Sequence, residues 1–192
     1  MTSRDTANIL ISMIKERSLS DKRTSLAIDG YAAVGKTTIA DIISEKLNAP
    51  IVHMDDFFLR TFQRTSERYA TPGGNIDHER FSDEVAPHIS LHDSFEYRRF
   101  DCAKMEFGAT IAIPKNDILI IEGTYACHEK LIGLYDISVF LSINDIEQQH
   151  RIFSSRGESK LSDFTSKWIP LERAYFNAQS VKSRCDIAFD LS

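Results

Sequence analysis

Cysteine is scarce in this chain and comes in an odd number: Cys102, Cys127 and Cys185, with no Cys-x-x-Cys pair. That excludes a disulfide scaffold or a zinc ribbon and predicts a reducing, cytoplasmic setting. Glycine and proline are also few, 8 and 5 among 192 residues, so low-complexity and collagen-like chains are excluded. No long apolar run exists. The longest aliphatic stretch is Ile118-Leu119-Ile120-Ile121, so no membrane-spanning helix is expected. Met1 to Asp5 opens without the apolar stretch of a secretion signal. A basic excess is missing too, since 23 Lys and Arg face 28 Asp and Glu for a net charge of −5. That composition gives no support to a nucleic-acid partner. The six histidines show no metal-ligand spacing. His88 and His92 are four apart but lack a third ligand and have Pro87 beside them. No serine sits in a G-x-S-x-G elbow.

What is present is a globular composition, 42% hydrophobic and 27% charged, in a length that suits one domain over residues 1–192. Hydrophobic periodicity predicts a helix over 7–18 with Ile9, Met13 and Ile14 on one stripe, a strand at Leu26–Ile28, and a helix from Lys36 to Leu47. A second strand is expected at Ile51–Met54. Strand, helix and strand so close together make a βαβ unit with parallel strands. Residues 59–77 are polar and end in Pro72-Gly73-Gly74-Asn75, which predicts a loop. A helix is expected from His78 to Ala86, ended or kinked by Pro87. Alternation over Met105 to Ile113 predicts a small hairpin turning near Gly108-Ala109. Ile118–Ile121 and Ile137–Leu141 are expected as buried strands. Asn144 followed by Glu147 predicts the start of a helix that runs to about Ser155. A last helical stretch over 163–181, broken at Pro170, precedes a strand at Ile187–Phe189. Its Trp168, Leu171, Tyr175 and Ala178 stripe is expected to pack in the core.

Gly30-Tyr31-Ala32-Ala33-Val34-Gly35-Lys36-Thr37 fits G-x-x-x-x-G-K-[ST]. The glycines let the backbone curl so that successive N–H groups point inward at an anion, and the following helix adds its positive end. Gly30, Ala32, Ala33, Val34, Gly35, Lys36, Thr37 and Thr38 are therefore the candidate nucleotide-binding residues. Lys36 is placed for the β- and γ-phosphates and the Thr37 hydroxyl for Mg²⁺.

In an open parallel sheet, ligands sit beyond the carboxyl ends of the strands. Asp55-Asp56 and Glu122 follow two of those strands. A carboxylate beside the phosphates either takes the proton of an attacking hydroxyl, the role assigned to Asp55, or holds Mg²⁺ through water, the role assigned to Glu122. Asp56 is expected to cap a turn. Arg151 and Arg156 precede Gly157 in a segment that reads as a lid over about 151–163, where guanidinium groups stabilise charge on a transferring phosphoryl group. Lys160 reads as plain surface, and Arg98-Arg99 as a charged face or an anion contact.

Together the P-loop, Asp55-Asp56-Phe57-Phe58, Asn75-Ile76-Asp77-His78 and Ile120-Ile121-Glu122-Gly123 resemble the uridine kinase-like branch of P-loop kinases, in the same order from about Leu26 to Phe189. The segment from Trp168 to Phe176 is similar to bacterial members of that branch. The resemblance implies an α/β fold: a P-loop kinase-type parallel sheet flanked by helices, with a small lid and a substrate-side insert. It implies ATP and Mg²⁺, and transfer of the γ-phosphoryl to the hydroxyl of a small-molecule acceptor. It also implies Asp55 as base, Asp77 as the acceptor-side aspartate, and Tyr97 and Asp101 on the acceptor side. The chain departs from the family where a Y-D-F segment is followed by a histidine that contacts the base. Tyr97-Arg98-Arg99-Phe100-Asp101-Cys102 has no histidine after it until His128. Acceptors such as pantothenate or a sugar phosphate therefore stay open. A GTPase-like switch is disfavoured, because an N-K-x-D guanine reader and a D-x-x-G switch are both missing.

Overall fold

The structure is a computed structural model that describes residues 1–18 and 23–192. It opens on helix α1 (Ser3–Arg17), which starts four residues before the periodicity places it. The Thr2 side chain accepts from the Asp5 N–H and Asp5 reaches back, a reciprocal cap. Ala7, Leu10, Ile11 and Ile14 are its buried residues, and Ile9 points outward.

Strand β1 (Thr24–Gly30) is buried along its whole length. Helix α2 (Lys36–Leu47) and strand β2 (Ile51–His53) follow. With β5 (Ile118–Glu122), β6 (Ile137–Ser142) and β7 (Ile187–Asp190) these strands make one parallel sheet in the order β2-β5-β1-β6-β7. β1 and β2 are parallel, as expected, but β5 lies between them. The chain leaves β1 towards one edge and returns on its other side through β6. β1 therefore ends at a topological switch point, where sheets of this kind open a crevice.

Successive β1 residues serve opposite faces, as strand geometry requires. Leu26 and Ile28 pack with Leu10, Ile14, Ile39 and Ile43 of α1 and α2. Ala27 belongs to the other core, with Phe57, Phe81, Phe140 and Tyr175. Burial on both faces explains the unbroken apolar run of β5.

Residues 59–77 are less loop-like than their composition predicts. Thr65 caps a short helix, α3 (Ser66–Ala70), by accepting from the Arg68 N–H. A backbone bridge between Phe58 and Ile76, continued by the Asp77 N–H to Phe57 C=O bond at 2.7 Å, ties the two ends of the insert together. Helix α4 (His78–Glu84) is capped by the Asp77 side chain, and Pro87 sits in the first turn of the 3₁₀ turn that follows.

The hairpin corrects the sequence expectation. Its arms are β3 (Phe95–Asp101) and β4 (Glu106–Ile113), so the turn is at 102–105 and Gly108-Ala109 lies inside β4. β3 carries two arginines on exposed positions, which hid its alternation. Beyond β6, α5 (Asp145–Arg156) begins at its Asn144 cap as expected. Gly157, at φ 82°, turns the chain into α6 (Glu158–Asp163). Pro170 does not break the final helix. It occupies the first turn of α7 (Ile169–Ala178), where its missing N–H costs nothing, and the irregularity is the wide turn Phe164–Trp168 before it. The buried side of α7 is Glu172, Tyr175 and Phe176, so Ala178 is outside the core. α8 (Val181–Arg184) leads into β7.

Candidate active site

The carboxyl ends of β1, β2 and β5 open into a cleft of about 1160 Å³, walled by the phosphate loop, the 59–77 insert and the α5–α7 lid region. Single-ligand pockets run to roughly 1,000 Å³, so the space suits two molecules side by side.

The phosphate loop curls as its motif requires. Gly30 has φ 141° and lies so close to β6 that a Cβ there would stand 2.1 Å from the Leu141 carbonyl oxygen. Gly35 has φ 110°, and Ala33 sits between them at φ 60°, a left-handed conformation that costs an alanine about 1 kcal/mol. Ala32, Ala33, Gly35, Lys36, Thr37 and Thr38 all line the cleft. Gly30 and Val34 are buried beneath the loop. Lys36 Nζ donates to the carbonyls of Gly30 at 2.8 Å and Tyr31 at 3.0 Å, and to the Thr124 hydroxyl at 3.2 Å.

One anchor of this loop escaped the sequence reading. Asp29, wholly buried, accepts from the N–H groups of Gly30, Tyr125 and Cys127 and from the Tyr175 hydroxyl, binding β1, the loop after β5 and α7 to one carboxylate. Burial raises its pKa, and those donors act against the rise.

Glu172 escaped as well. It is buried on α7, accepts from the Ala32 N–H at 3.0 Å and from Gln148 Nε2 at 2.8 Å, and has its pKa raised by burial. It lies 140 positions from Ala32, and no local pattern announces such a contact.

Asp55 stands in the cleft beside the loop. Its carboxyl is open to the cleft but surrounded by protein. That burial raises its pKa, Lys36 and Arg156 pull it down, and Glu122 and Asp56 push it up. Asp56 turns the other way. It is buried, accepts from the Tyr97 hydroxyl at 2.8 Å and pairs with Arg99 at 3.1 Å. Glu122 lines the cleft, accepts from the Thr37 hydroxyl at 3.2 Å and from His53 Nδ1 at 2.6 Å. The bond to Glu122 raises the His53 pKa. Among the described residues no group of three or more His, Cys, Asp and Glu gathers to hold a metal ion by itself. The hard oxygens of Thr37 and Glu122 nevertheless suit Mg²⁺, which takes few protein ligands and completes its shell with water and phosphate.

Arg151, Arg156 and Lys160 of the expected lid all line the cleft. Arg151 is held by Glu147 at 2.9 Å and by the Val34 carbonyl, Lys160 pairs with Asp163, and Arg156 lies over the Phe164 ring. Lys160, expected as plain surface, is thus part of the wall. So is Trp168, expected in the core, which stands 6.3 Å from Phe58 across the cleft.

The three residues assigned to the acceptor are not on the cleft wall. Asp77 is wholly buried and bound to Arg60, Arg80 and the start of α4. Tyr97 is buried on Asp56. Asp101 organises the hairpin turn by accepting from the Ala103 and Lys104 N–H groups. Arg98 pairs with Glu84, so the Arg98-Arg99 pair is spent on carboxylates of the chain itself. The acceptor-side wall is made by Phe58, Leu59, Arg64, Tyr69, Asn75 and Cys102. Of these, Phe58 and Asn75 belong to the motifs that carry the resemblance.

No protein-family model matches the chain. A uridine-cytidine kinase-like 1 protein of Mus musculus is 24% identical over 159 residues, 72% of this chain and 28% of that protein. A uridine kinase of Schizosaccharomyces pombe is 27% identical over 126 residues, 60% of this chain and 28% of that one. The chain thus spans 28% of the length of these curated relatives. Among solved structures, one described as a possible uridine kinase from Bacillus stearothermophilus superposes with a TM-score of 0.74 over 99% of this chain and 100% of that one, at 20% identity. The chain is similar in sequence to uridine kinase-like proteins and has the fold of P-loop kinases. No helix among the described residues is long and apolar enough to cross a membrane.

Proposed function

We propose that this chain is an ATP- and Mg²⁺-dependent phosphotransferase that moves the γ-phosphoryl group to an alcohol of a small molecule. The observation that carries this is the pairing of Asp55 with the phosphate loop across one cleft. An acidic side chain that feels Lys36 and Arg156, and has no hydrogen-bond partner among the described residues, is placed to act on something bound between them.

ATP lays its phosphates on the N–H groups of residues 33–38, and Lys36 exchanges the Gly30 and Tyr31 carbonyls for phosphate oxygens. Thr37 and Glu122 would hold Mg²⁺, which when bound would neutralise charge on the phosphate oxygens. The acceptor enters along the insert wall with its hydroxyl at Asp55. The carboxylate takes the hydroxyl proton as the bond from the acceptor oxygen to γ-phosphorus forms and the bond to the β–γ bridging oxygen breaks, releasing ADP. Arg156 and Lys36 stabilise the charge spread over the transferring oxygens, and Arg151 steadies the Val34 end of the loop. A raised Asp55 pKa suits a base, because proton transfer is most effective when the acceptor's pKa approaches the working pH.

The test is calorimetry with Mg-ATP together with ATP consumption over a panel of nucleosides, pantothenate and sugar phosphates. Lys36→Ala is expected to cut turnover at least about 1000-fold. A chain that ignores Mg-ATP, or a Lys36→Ala variant that turns over normally, overturns the proposal.

A further inference from the structure

Four cationic groups other than Lys36 line the cleft, and they are not equally employed. Arg151 and Lys160 have carboxylate partners, and Arg156 lies beside Asp55 and over Phe164. Arg64 is different. It stands on the insert and, like Arg156, forms no ion pair with any carboxylate among the described residues, but it lies over no aromatic ring and is held by backbone instead. It is half-buried. Its Nε donates to the Leu59 carbonyl at 2.9 Å, which fixes the guanidinium in place, and one Nη reaches the Cys102 sulfur at 3.5 Å, a weak acceptor. A half-buried guanidinium held in place and facing a cleft keeps donors free for an anionic ligand to take from water.

A second observation points the same way. Asn75, 4% exposed, lines the same cleft, and its Nδ2 is buried without a hydrogen-bond partner. The Tyr125 hydroxyl is near enough to feel the amide without completing the bond. Buried donors left unpaired are rare in folded chains and cost about 1–3 kcal/mol each. Both unspent groups are donors, and both belong to the insert.

We propose that the acceptor alcohol carries an oxyanion, a carboxylate or a phosphate monoester, bound by Arg64 on the insert wall with the Asn75 amide donating to an acceptor oxygen. This rests on the phosphotransferase reading above and narrows its acceptor. Phe58, Tyr69 and Trp168 face the remainder of the acceptor with apolar surface.

The test compares acceptors in matched pairs: pantothenate against its neutral alcohol, ribose 5-phosphate against ribose, with uridine as the neutral nucleoside. ATP consumption is measured for the unmodified chain, Arg64→Gln and Arg64→Lys. In at least one pair the anionic member is expected to lead by about 10- to 100-fold in kcat/KM, the size of a lost charge-assisted contact. Arg64→Gln should bring that ratio close to one, and Arg64→Lys should restore part of it. Because the readout is a ratio, general damage to folding or ATP binding cancels. The pair that responds tells carboxylate from phosphate. The proposal is overturned if the neutral members or uridine lead, or if the ratio is unmoved in Arg64→Gln.

Should no acceptor be consumed although Mg-ATP binds, the phosphotransferase reading fails by itself. Binding of the anionic members is then followed by thermal shift with a non-hydrolysable ATP analogue. Saturable binding lost in Arg64→Gln supports the oxyanion site, and no such binding overturns it.

Discussion

The two sides of the cleft are built on opposite plans. On the phosphate side nearly every polar group already has a partner within the chain. Lys36 holds two carbonyls, Asp29 gathers four donors, Glu172 takes the Ala32 N–H, and Glu122 bridges Thr37 and His53. On the acceptor side, among the described residues, Arg64 has no carboxylate partner and the Asn75 Nδ2 has no hydrogen-bond acceptor. A saturated wall keeps its shape whatever enters the cleft, whereas an unsaturated one takes its last partners from the ligand. The first plan suits a cosubstrate whose phosphates are always the same, and the second suits selection among acceptors.

The most severe way to break this contrast is to remove Asp55, the group proposed to act between the two sides. Asp55→Asn is expected to lower kcat by about 100- to 10,000-fold while calorimetry still shows Mg-ATP binding. In the unmodified chain, activity should fall as pH drops through an Asp55 pKa that lies above the ordinary aspartate value, because the base is then protonated. Full turnover in Asp55→Asn removes it as base.

Next in size is the saturated wall itself. In Asp29→Asn an amide N–H₂ faces groups that are themselves donors, so a loss of about 2 kcal/mol is expected, read as a lower denaturant midpoint. An unchanged midpoint would show that this wall does not depend on its central carboxylate.

A smaller effect belongs to the seam between the two regions. His128, on the loop after β5, stacks on His78 of α4 with ring centres 4.9 Å apart. Burial, reinforced by His78 and Lys130, pushes the His128 pKa down to about 4, and burial lowers that of His78 as well. Both rings are therefore neutral in the fold, while the unfolded chain protonates them near pH 6.5. Their contribution is complete above pH 6.5 and is lost as pH falls towards about 4, by about 1–3 kcal/mol. His128→Asn should flatten that part of the stability–pH curve.

The smallest effect joins the insert to α4. The bond from Arg68 holds the Glu79 pKa at about 2. This stabilisation is present above pH 4.5 and disappears as pH falls through about 2. Glu79 is half exposed, so screening limits it to about 0.5 kcal/mol. Glu79→Gln should remove that acid dependence.

The same contrast explains what could be read in advance. The phosphate loop, α2 and the strand ends were legible because backbone chemistry fixes their spacing: glycines where φ is positive, a lysine and a threonine at the helix start, apolar runs where a strand is covered on both faces. Asp55 and Glu122 were legible because they follow such strands directly. The 59–77 insert was expected on the acceptor side and does line the cleft, but the individual residues of that wall were not legible. Asp77 looks like a ligand group in its motif and proves to be a helix cap tied to two arginines, since a short acidic side chain before a helix serves either purpose. Arg64 sits in a polar stretch with no periodicity, and what sets it apart, the lack of a carboxylate nearby, is a property of three dimensions. Strand β3 was missed because Glu96, Arg98 and Arg99 face outward, and its true partner begins beyond a turn of four residues.

The bridge between Phe58 and Ile76 has a further consequence. Residues 59–75 leave and rejoin the fold at neighbouring backbones, Phe57-Phe58 beside Ile76-Asp77. Doubling the length of a segment whose ends are already pinned costs only about 0.6 kcal/mol in closure entropy. Such a stretch behaves as a cassette: it can be lengthened or traded for another while the sheet beneath keeps its register.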